Sequence, residues 1–309
     1  MTGSGSAAGV PGHDLAPTSS STLARTPLTR QLLDLRGVDA DVRNGRPEGI
    51  HATRIAARRL RSTLTSYRAL LPSDDARRLA GELRWLGGAL SPARDAQVLR
   101  DRLLAGLADL PAELVIGPVG ERIRTSLDLD IRLGLAGAAR AMSSARYDRL
   151  LGDLGVLAAS PVPTGARLPS ARHAALRILH SDGRRAGRAL RDARAERAPT
   201  DHDVALHGAR KRFKRLHYSA ESAALVLGRP ALRLAKAAHA VQDLLGEHQD
   251  SVVARRYLLR LATQAHTDGD VAFTLGLLHA REEAVALEQE WAVKAAGRRV
   301  RQAARGLVR

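Results

Sequence analysis

Apolar residues recur at helical spacing along almost the whole chain from residue 28 onward. Leu83, Leu86 and Leu90 form one such series, with intervals of three and four residues that place them on one face of a helix. Runs of β-branched residues and the turn signals of β-hairpins are scarce. The pattern therefore predicts an all-α protein.

Glycines, prolines and capping residues divide this pattern into helices joined mostly by short connections. We predict helices at about residues 28–43, 48–71, 73–90, 91–107, 113–158 (as one helix or two), 170–196, 200–227, 231–246, 248–266 and 268–300. Short connections are typical of antiparallel neighbours in a helical bundle, and the exception is a proline-rich linker near residues 160–169. Residues 1–27, rich in Gly, Ser, Thr and Pro, predict a disordered leader, and residues 301–309 a basic tail.

Two of these helices carry a stripe of basic residues at the same phase. The first stripe is His51, Arg54, Arg58, Arg59 and Arg61, and the second stripe is His207, Arg210, Lys214, Arg215 and His217. On a helix, the first, second, third and last members of each stripe fall within roughly 80° of one another. The opposite side of the first helix carries apolar residues such as Leu60 and Leu64. Each helix thus has one face suited to a core and one suited to an anion, and two such faces suggest a shared polyanion groove.

The repeat extends from each stripe into the following helix. Asp95 follows His51 by 44 residues. Asp250 follows His207 by 43 residues, and an apolar helix lies between stripe and aspartate in both copies. Such a match is not expected by chance, so we predict two homologous helical halves related by a pseudo-twofold axis.

The charge balance points to a polyanionic partner. The 309-residue chain has a formal net charge of +17, and only four of its 49 basic residues are lysines. Arginine binds phosphate through a planar fork of donors, whereas lysine acts as a point charge. A GC-rich genome would explain the scattered arginines as well as a polyanionic partner does. It does not explain why basic residues cluster at the same helical phase in two helices.

Aromatic residues make up only 3% of the chain. Trp85, Trp291, Phe213 and Phe273 are at positions expected to lie in the core. Binders of single-stranded nucleic acid stack bases on aromatic side chains. The composition therefore favours a ligand that has charge but no bases.

The sequence lacks the patterns that are typical of several other functional classes. The absence of cysteine excludes disulfides and thiolate metal sites, and no apolar run approaches the ~18 residues of a membrane span. Permanent charges beside His51 and His207 disfavour a divalent cation, so no metal or cofactor is expected. No glycine-rich phosphate loop is present, and no acid–base partner recurs beside both histidines. We expect a non-enzymatic cytoplasmic protein that is not inserted in a membrane, with its oligomeric state left open.

These segments resemble the CHAD family, the conserved histidine α-helical domain, over about residues 28–300. The resemblance rests on four segments in the same order, at residues 51–61, 83–95, 207–216 and 242–250. It implies two four-helix-type halves, at about residues 28–110 and 113–300, around a basic central groove or pore. It also implies binding of inorganic polyphosphate and, for some members, association with polyphosphate granules.

The resemblance implies a ligand role for the positions that match the family motif. These positions are His51, Arg54, Arg58, Arg61, His207, Arg210 and Lys214. Five further basic residues on or beside the stripes are candidates as well: Arg59, Arg84, Lys211, Arg215 and His217. His217 stands where the family usually has arginine, so the second stripe is expected to be weaker or more pH-sensitive there.

Some neighbouring residues allow two interpretations. Arg59 and Arg215 lie at the edges of their stripes, so they either reach the ligand or pair with acids of neighbouring helices. Asp95 and Asp250 are expected to orient stripe side chains. A third arginine stripe, at residues 184, 188 and 191, faces either the same groove or solvent.

Two other functions remain open for the same basic surface. It would also bind the backbone of duplex nucleic acid, or act as an adaptor for acidic protein tails. Some family members carry a triphosphate-tunnel hydrolase domain, but its Glu-x-Glu-x-Lys motif is absent and 27 leader residues leave no room for it. If polyphosphate is the ligand, protonation of the histidines predicts tighter binding at pH 6 than at pH 8.

Overall fold

The computed structural model describes residues 20–38, 47–160 and 170–307. These residues form nine α-helices and two short 3₁₀ helices, without a β-strand, which confirms the all-α class. The α-helices are α1 (Ser20–Gly37), α2 (Pro47–Ser66), α3 (Ser73–Ala108), α4 (Val119–Met142), α5 (Ala145–Ala159), α6 (Ala171–Ala195), α7 (Pro199–Leu227), α8 (Arg229–Thr267) and α9 (Phe273–Arg305). The 3₁₀ helices are Arg68–Leu70 and Ala112–Leu114.

The chain becomes helical earlier than the sequence pattern predicts. α1 begins at Ser20 and contains Pro27, whereas the predicted first helix begins at residue 28. Leu23 and Ala24 are fully buried in the main core, so the end of the predicted leader is part of the fold. The rest of that leader, residues 1–19, the predicted linker at 161–169 and the last two residues of the predicted tail lie outside the described residues.

Two predicted breaks between helices are absent from the structure. α3 continues through Pro92, although a proline cannot donate to the carbonyl one turn earlier. Buried residues on both sides of it, Leu90 and Ala93, hold the helix against its neighbours, so packing overrides the local stop signal. α8 likewise runs without a break through Gly246.

Two other predictions from the pattern are resolved by the structure. The predicted segment 113–158 forms two helices, and Ser144 caps the second by accepting a hydrogen bond from the backbone N–H of Tyr147. The first stripe helix ends at Ser66, before its predicted end at residue 71, and is followed by a 3₁₀ helix.

The helices that carry the repeat pack in the same order in both copies. α2 packs on α3 and α7 packs on α8, and α3 and α8 then pack on α4 and α9. The two stripe helices, α2 and α7, also contact each other. At this contact the Tyr67 side chain is fully buried and its hydroxyl donates to the Ser219 carbonyl over 2.8 Å. The fold therefore places the two stripes side by side, while the pseudo-twofold relation stays a prediction.

Two apolar clusters form the core, and each contains residues from both predicted halves. The main cluster includes Leu60 and Leu64 of α2 together with Phe213 and Leu216 of α7. The second includes Ile123 of α4 and connects the distal parts of α3 and α4 with those of α8 and α9. The halves therefore share their core and support each other.

The aromatic residues do not all lie where the sequence predicts. Phe213 is buried and Trp85 packs against the main core. Trp291 is 77% exposed and Phe273 is 49% exposed, so the prediction of a core position is wrong for both. Their apolar neighbours along α9 satisfy the helical pattern on other faces. No helix among the described residues is long and apolar enough to cross a membrane.

Candidate functional site

A cavity of about 570 Å³ lies where α2, α3 and α7 meet. Its lining residues are Arg58, Arg61, Ser62, Thr65, Ala80, Arg84, Gly208, Lys211, Arg212, Lys214, Arg215 and Tyr218. Seven of them are arginine or lysine, and none of the described lining residues is acidic. We call this space the stripe cavity. It is lined by Arg58 and Arg61 of the first stripe and by Lys214 and Arg215 of the second, whereas the other six stripe residues do not line it.

Helical spacing explains why these side chains share the cavity. Each α2 lining residue has another lining residue three or four positions away on its helix, and the same holds on α7; the sets are 58, 61, 62 and 65 on α2 and 208, 211, 212, 214, 215 and 218 on α7. The opposite faces of the two helices are anchored in the core by Leu60 and Leu64 and by Ala209 and Phe213, all of which are buried. Burial of one face thus directs the basic face of each helix into the cavity.

Lys214 is the most unusual group in the site. Burial, followed by the nearby guanidinium groups of Arg58, Arg210, Arg61 and Arg54, lowers the pKa of its ammonium to about 7. Within the described part of the chain, no carboxylate pairs with it. An anion in the cavity would supply the missing opposite charge.

Arg58 is held in place by an aromatic residue. Its Nε donates to the hydroxyl of Tyr218 over 2.9 Å, and its guanidinium carbon lies 5.8 Å from the centre of the Tyr218 ring. Its terminal nitrogens have no protein partner among the described residues, so they are available to an anion. Arg61 lies beside Arg58 and Arg84, and burial followed by the charges of these two arginines lowers its pKa.

The two histidines lie beside the cavity and resemble each other electrostatically. Burial and then the charges of Arg94, Arg54 and Arg58 lower the pKa of His51. Burial, followed by Lys211, Arg210 and Lys214, lowers the pKa of His207, and a hydrogen bond with Gln249 opposes this effect. The Nδ1 atom of His207 is buried without a hydrogen-bond partner. At neutral pH both rings are therefore mainly uncharged.

The aspartates of the repeat lie beside the second basic residue of each stripe. Asp95 Oδ1 accepts a hydrogen bond from Arg54 Nη2 over 3.0 Å, as expected for a residue that orients a stripe side chain. Asp250 interacts with Arg210, which opposes the rise that burial causes in the pKa of this aspartate. A Cβ atom at Gly246 would lie 3.4 Å from Arg210 Nη2. This glycine, predicted to end a helix, instead lies within α8, and the Arg210 guanidinium packs beside it at ordinary contact distance.

The edge residues of the stripes are paired with acids. Arg215 Nε lies 3.0 Å from Asp182 Oδ1, and Arg215 Nη2 donates to the Thr65 carbonyl over 3.1 Å. Arg215 still lines the cavity, but its guanidinium is mostly engaged by the protein. Arg59 is 3.8 Å from Glu221 and does not line the stripe cavity. The structure thus favours the pairing interpretation for both residues.

His217 points into the protein instead of into the stripe cavity. Its Nδ1 lies 3.2 Å from the Ala235 carbonyl, and its Nε2 lies 3.6 Å from Glu221. Its ring stacks on that of His239, with 4.7 Å between centroids. Burial is the main reason why the pKa of the His217 imidazole is lowered. At this position of the second stripe, the arginine expected from the family pattern is replaced by a packing residue.

Three contributors to the site were not among the predicted ligands. Tyr218 positions Arg58, Arg212 lines the cavity next to Lys211, and Arg94 adds to the positive field at His51. Arg94 and Tyr218 each adjoin a residue that the sequence analysis singles out. Their roles depend on contacts between helices, which the period of a single helix does not reveal.

Comparisons with known proteins identify the family. The sequence profile described as the CHAD domain matches residues 27–259. Two uncharacterized proteins of Mycobacterium tuberculosis, MT2285 and Rv2226, are each 35% identical over 270 residues, which is 86% of this chain and 51% of theirs. The chain therefore spans about half the length of these relatives.

Two solved structures share the fold. The crystal structure of the CHAD domain from the plant Ricinus communis is 25% identical, with a TM-score of 0.70, covering 94% of this chain and 93% of the plant chain. PptA from Streptomyces chartreusis is 23% identical, with a TM-score of 0.72, covering 91% of this chain and 99% of that protein. The helical arrangement is thus common to all three.

Proposed function

Because the chain belongs to the CHAD family, we propose that it binds inorganic polyphosphate in the stripe cavity, without a catalytic step. The observation that carries this proposal is the lining of the stripe cavity, whose charged residues are all basic and where the half-buried Lys214 lies among Arg58, Arg61 and Arg210 without an acidic partner in the described residues. Concentrating like charges in a partly dehydrated space opposes folding unless a counter-charge is bound. A linear chain of phosphates supplies this charge along the whole cavity.

The basic residues of the stripe cavity would make different contacts with the phosphates. Arg58 and Arg61 donate to phosphate oxygens, each through charge-assisted hydrogen bonds worth roughly 1.5–3 kcal/mol. Lys214 acts as a point charge between them. Arg54, which is paired with Asp95, and Arg210, which lies near Asp250, would add further contacts with the ligand.

The composition of the cavity favours a ligand without bases. Tyr218 is the sole aromatic residue that lines the stripe cavity in the described structure, and the guanidinium carbons of Arg58 and Arg59 each lie 5.8 Å from the centre of its ring. Base stacking would need a free aromatic face. The described lining also has no carboxylate to act as a general base, which supports binding over catalysis. Attachment to polyphosphate granules would follow from the same contacts.

A competition titration tests this function. Long-chain polyphosphate competes with duplex DNA of equal phosphate concentration at several salt concentrations, against wild type and Arg58→Gln/Arg61→Gln/Lys214→Gln. A variant with three exposed arginines changed elsewhere, Arg132→Gln/Arg140→Gln/Arg256→Gln, removes the same charge. We expect polyphosphate to outcompete DNA by at least roughly tenfold and only the cavity variant to lose this affinity by a similar factor.

The other outcomes identify the competing functions. Equal competition by DNA, with equal losses in both variants, would mean a general basic surface that binds nucleic-acid backbones. Polyglutamate as a third competitor tests the adaptor function, which requires an acidic peptide to bind more tightly than polyphosphate.

A further inference from the structure

The basic surface does not end at the stripe cavity. A second cavity, of about 550 Å³, lies between α6 and α7. It is lined by Ser181, Arg184, Arg185, Arg188, Ala189, Asp192 and Arg212. We call it the α6 cavity. Arg212 lines both cavities, so the two spaces adjoin at this side chain.

A buried carboxylate fixes the boundary between the two cavities. Asp182 is only 2% exposed, and its Oδ1 lies 3.0 Å from Arg215 Nε on the stripe side and 3.9 Å from Arg185 Nη1 on the α6 side. Its Oδ2 accepts a hydrogen bond from the Ser66 hydroxyl over 3.1 Å. The same aspartate therefore ties α2, α6 and α7 together and keeps the basic linings of both cavities in register.

The outer arginines of the α6 cavity have no counter-charge. Arg184 and Arg188 are exposed, and neither forms a hydrogen bond or an ion pair within the described residues. They are four positions apart on α6, where like charges repel each other. The one acidic lining residue is Asp192, against four arginines. The α6 cavity thus has a surplus of positive charge of the same sign as the stripe cavity, although a smaller one.

A third cavity, of about 1040 Å³, lies between α6 and α9 and adjoins the α6 cavity, because Arg184 and Arg188 line both. Besides arginines, its lining contains the apolar side chains of Leu190, Phe213 and Leu234. A ligand made only of phosphates gains nothing from these apolar groups. The polar α6 cavity is therefore the natural continuation of the stripe cavity.

We propose that the α6 cavity is an extension subsite for long polyphosphate chains. A chain that fills the stripe cavity passes Arg212 and continues over Arg184 and Arg188. This inference rests on the proposed function. Because the second contact is made by the same molecule, it adds affinity only when the chain is long enough to reach α6. The protein thereby discriminates between chain lengths.

The test compares two ligands on four proteins, one of which is the stripe-cavity variant Arg58→Gln/Arg61→Gln/Lys214→Gln described above. Tripolyphosphate and a long-chain polyphosphate are titrated at several salt concentrations against wild type, Arg184→Gln/Arg188→Gln and the control Arg132→Gln/Arg140→Gln, whose arginines are exposed on α4. For the α6 variant we expect about a tenfold loss of affinity for the long chain and an unchanged affinity for tripolyphosphate. The salt dependence of long-chain binding should weaken by the equivalent of about one to two phosphate contacts. The control should resemble wild type with both ligands.

The possible failures are distinguishable. If the α6 variant binds the long chain like the control, or loses both ligands equally, the extension subsite does not exist. If wild type binds neither ligand, or the stripe-cavity variant binds both normally, the proposed function itself fails. Circular dichroism and thermal unfolding of each variant verify that the exposed substitutions leave the fold intact.

Discussion

At the scale of single residues, Lys214 links the stability of the protein to the proposed binding of polyphosphate. Its pKa of about 7 in the folded protein is far below the 10.5 of a free lysine, chiefly because of burial. Folding therefore disfavours the charged form, and this destabilisation is full below about pH 7 and fades as the pH rises towards 10.5. Lys214 therefore destabilises the fold, as expected for a residue whose charge is used to bind an anion.

The same lysine predicts the pH dependence of binding. A bound polyanion raises the pKa of Lys214, so binding above pH 7 takes up a proton, and affinity is highest at low pH and falls as the pH rises through about 7. Calorimetry at pH 8 in buffers of different ionisation enthalpy should show an uptake of about one proton. Lys214→Arg should retain binding and lose most of this uptake.

His51 and His207 modify this trend at lower pH. Their pKa values are already depressed in the free protein, so they remain mainly neutral near pH 7 and add to the affinity only as the pH falls further. The double variant His51→Gln/His207→Gln should therefore keep the uptake at pH 8. A wild-type affinity that is flat between pH 6 and 8 at constant ionic strength would contradict the role of Lys214.

At the scale of helices, the sequence predicts which face of a helix is buried better than it predicts where the helix ends. The periodicity within α2 and α7 correctly places Arg58, Arg61 and Lys214 on one face, because an amphipathic helix must bury the other. The stop signals at Pro92 and Gly246 mislead, because long-range packing decides whether a helix continues. Contacts between helices, such as Arg58 with Tyr218, have no counterpart in the period of either helix.

The crossing of α3 and α4 gives a test at this scale. A Cβ atom at Gly134 would lie 2.4 Å from the backbone nitrogen of Ala93. Gly134→Ala must therefore push the two helices apart, and we expect a loss of about 2 kcal/mol in the free energy of unfolding. Because Ala93 immediately precedes Arg94 and Asp95, the shift should also disturb the Arg54–Asp95 pair. Urea denaturation measures the loss.

Gly137→Ala is the matched control, one turn further along α4. A Cβ atom there meets only the far end of Arg140, at 3.9 Å. Replacing a helical glycine with alanine in open space should leave stability unchanged or raise it by about 0.5–1 kcal/mol. If both variants are equally stable, α3 and α4 do not cross at Gly134 as closely as described.

At the scale of the whole molecule, apolar burial and charge repulsion act at the same junction. Leu60, Leu64, Phe213 and Leu216 join α2 and α7 to the main core, and the basic faces of these helices meet directly above it. With a net charge of +17, the rest of the chain adds to the repulsion. The ligand-free fold is therefore less stable than its core allows, and an anion bound between the helices strengthens the junction.

This balance predicts opposite effects of one substitution on stability with and without ligand. At pH 6.5 Lys214 is mostly charged, so Lys214→Met should raise the unfolding midpoint of the ligand-free protein by removing a buried charge that has no acidic partner in the described structure. Polyphosphate at about 100 times its Kd should stabilise wild type by about 2.7 kcal/mol, and this gain should shrink in the variant because its Kd is larger. Scanning calorimetry measures both, with Arg132→Gln/Arg140→Gln as the control. A lower ligand-free midpoint for Lys214→Met would mean that the ammonium supports the fold, and the stripe cavity would then need no anion.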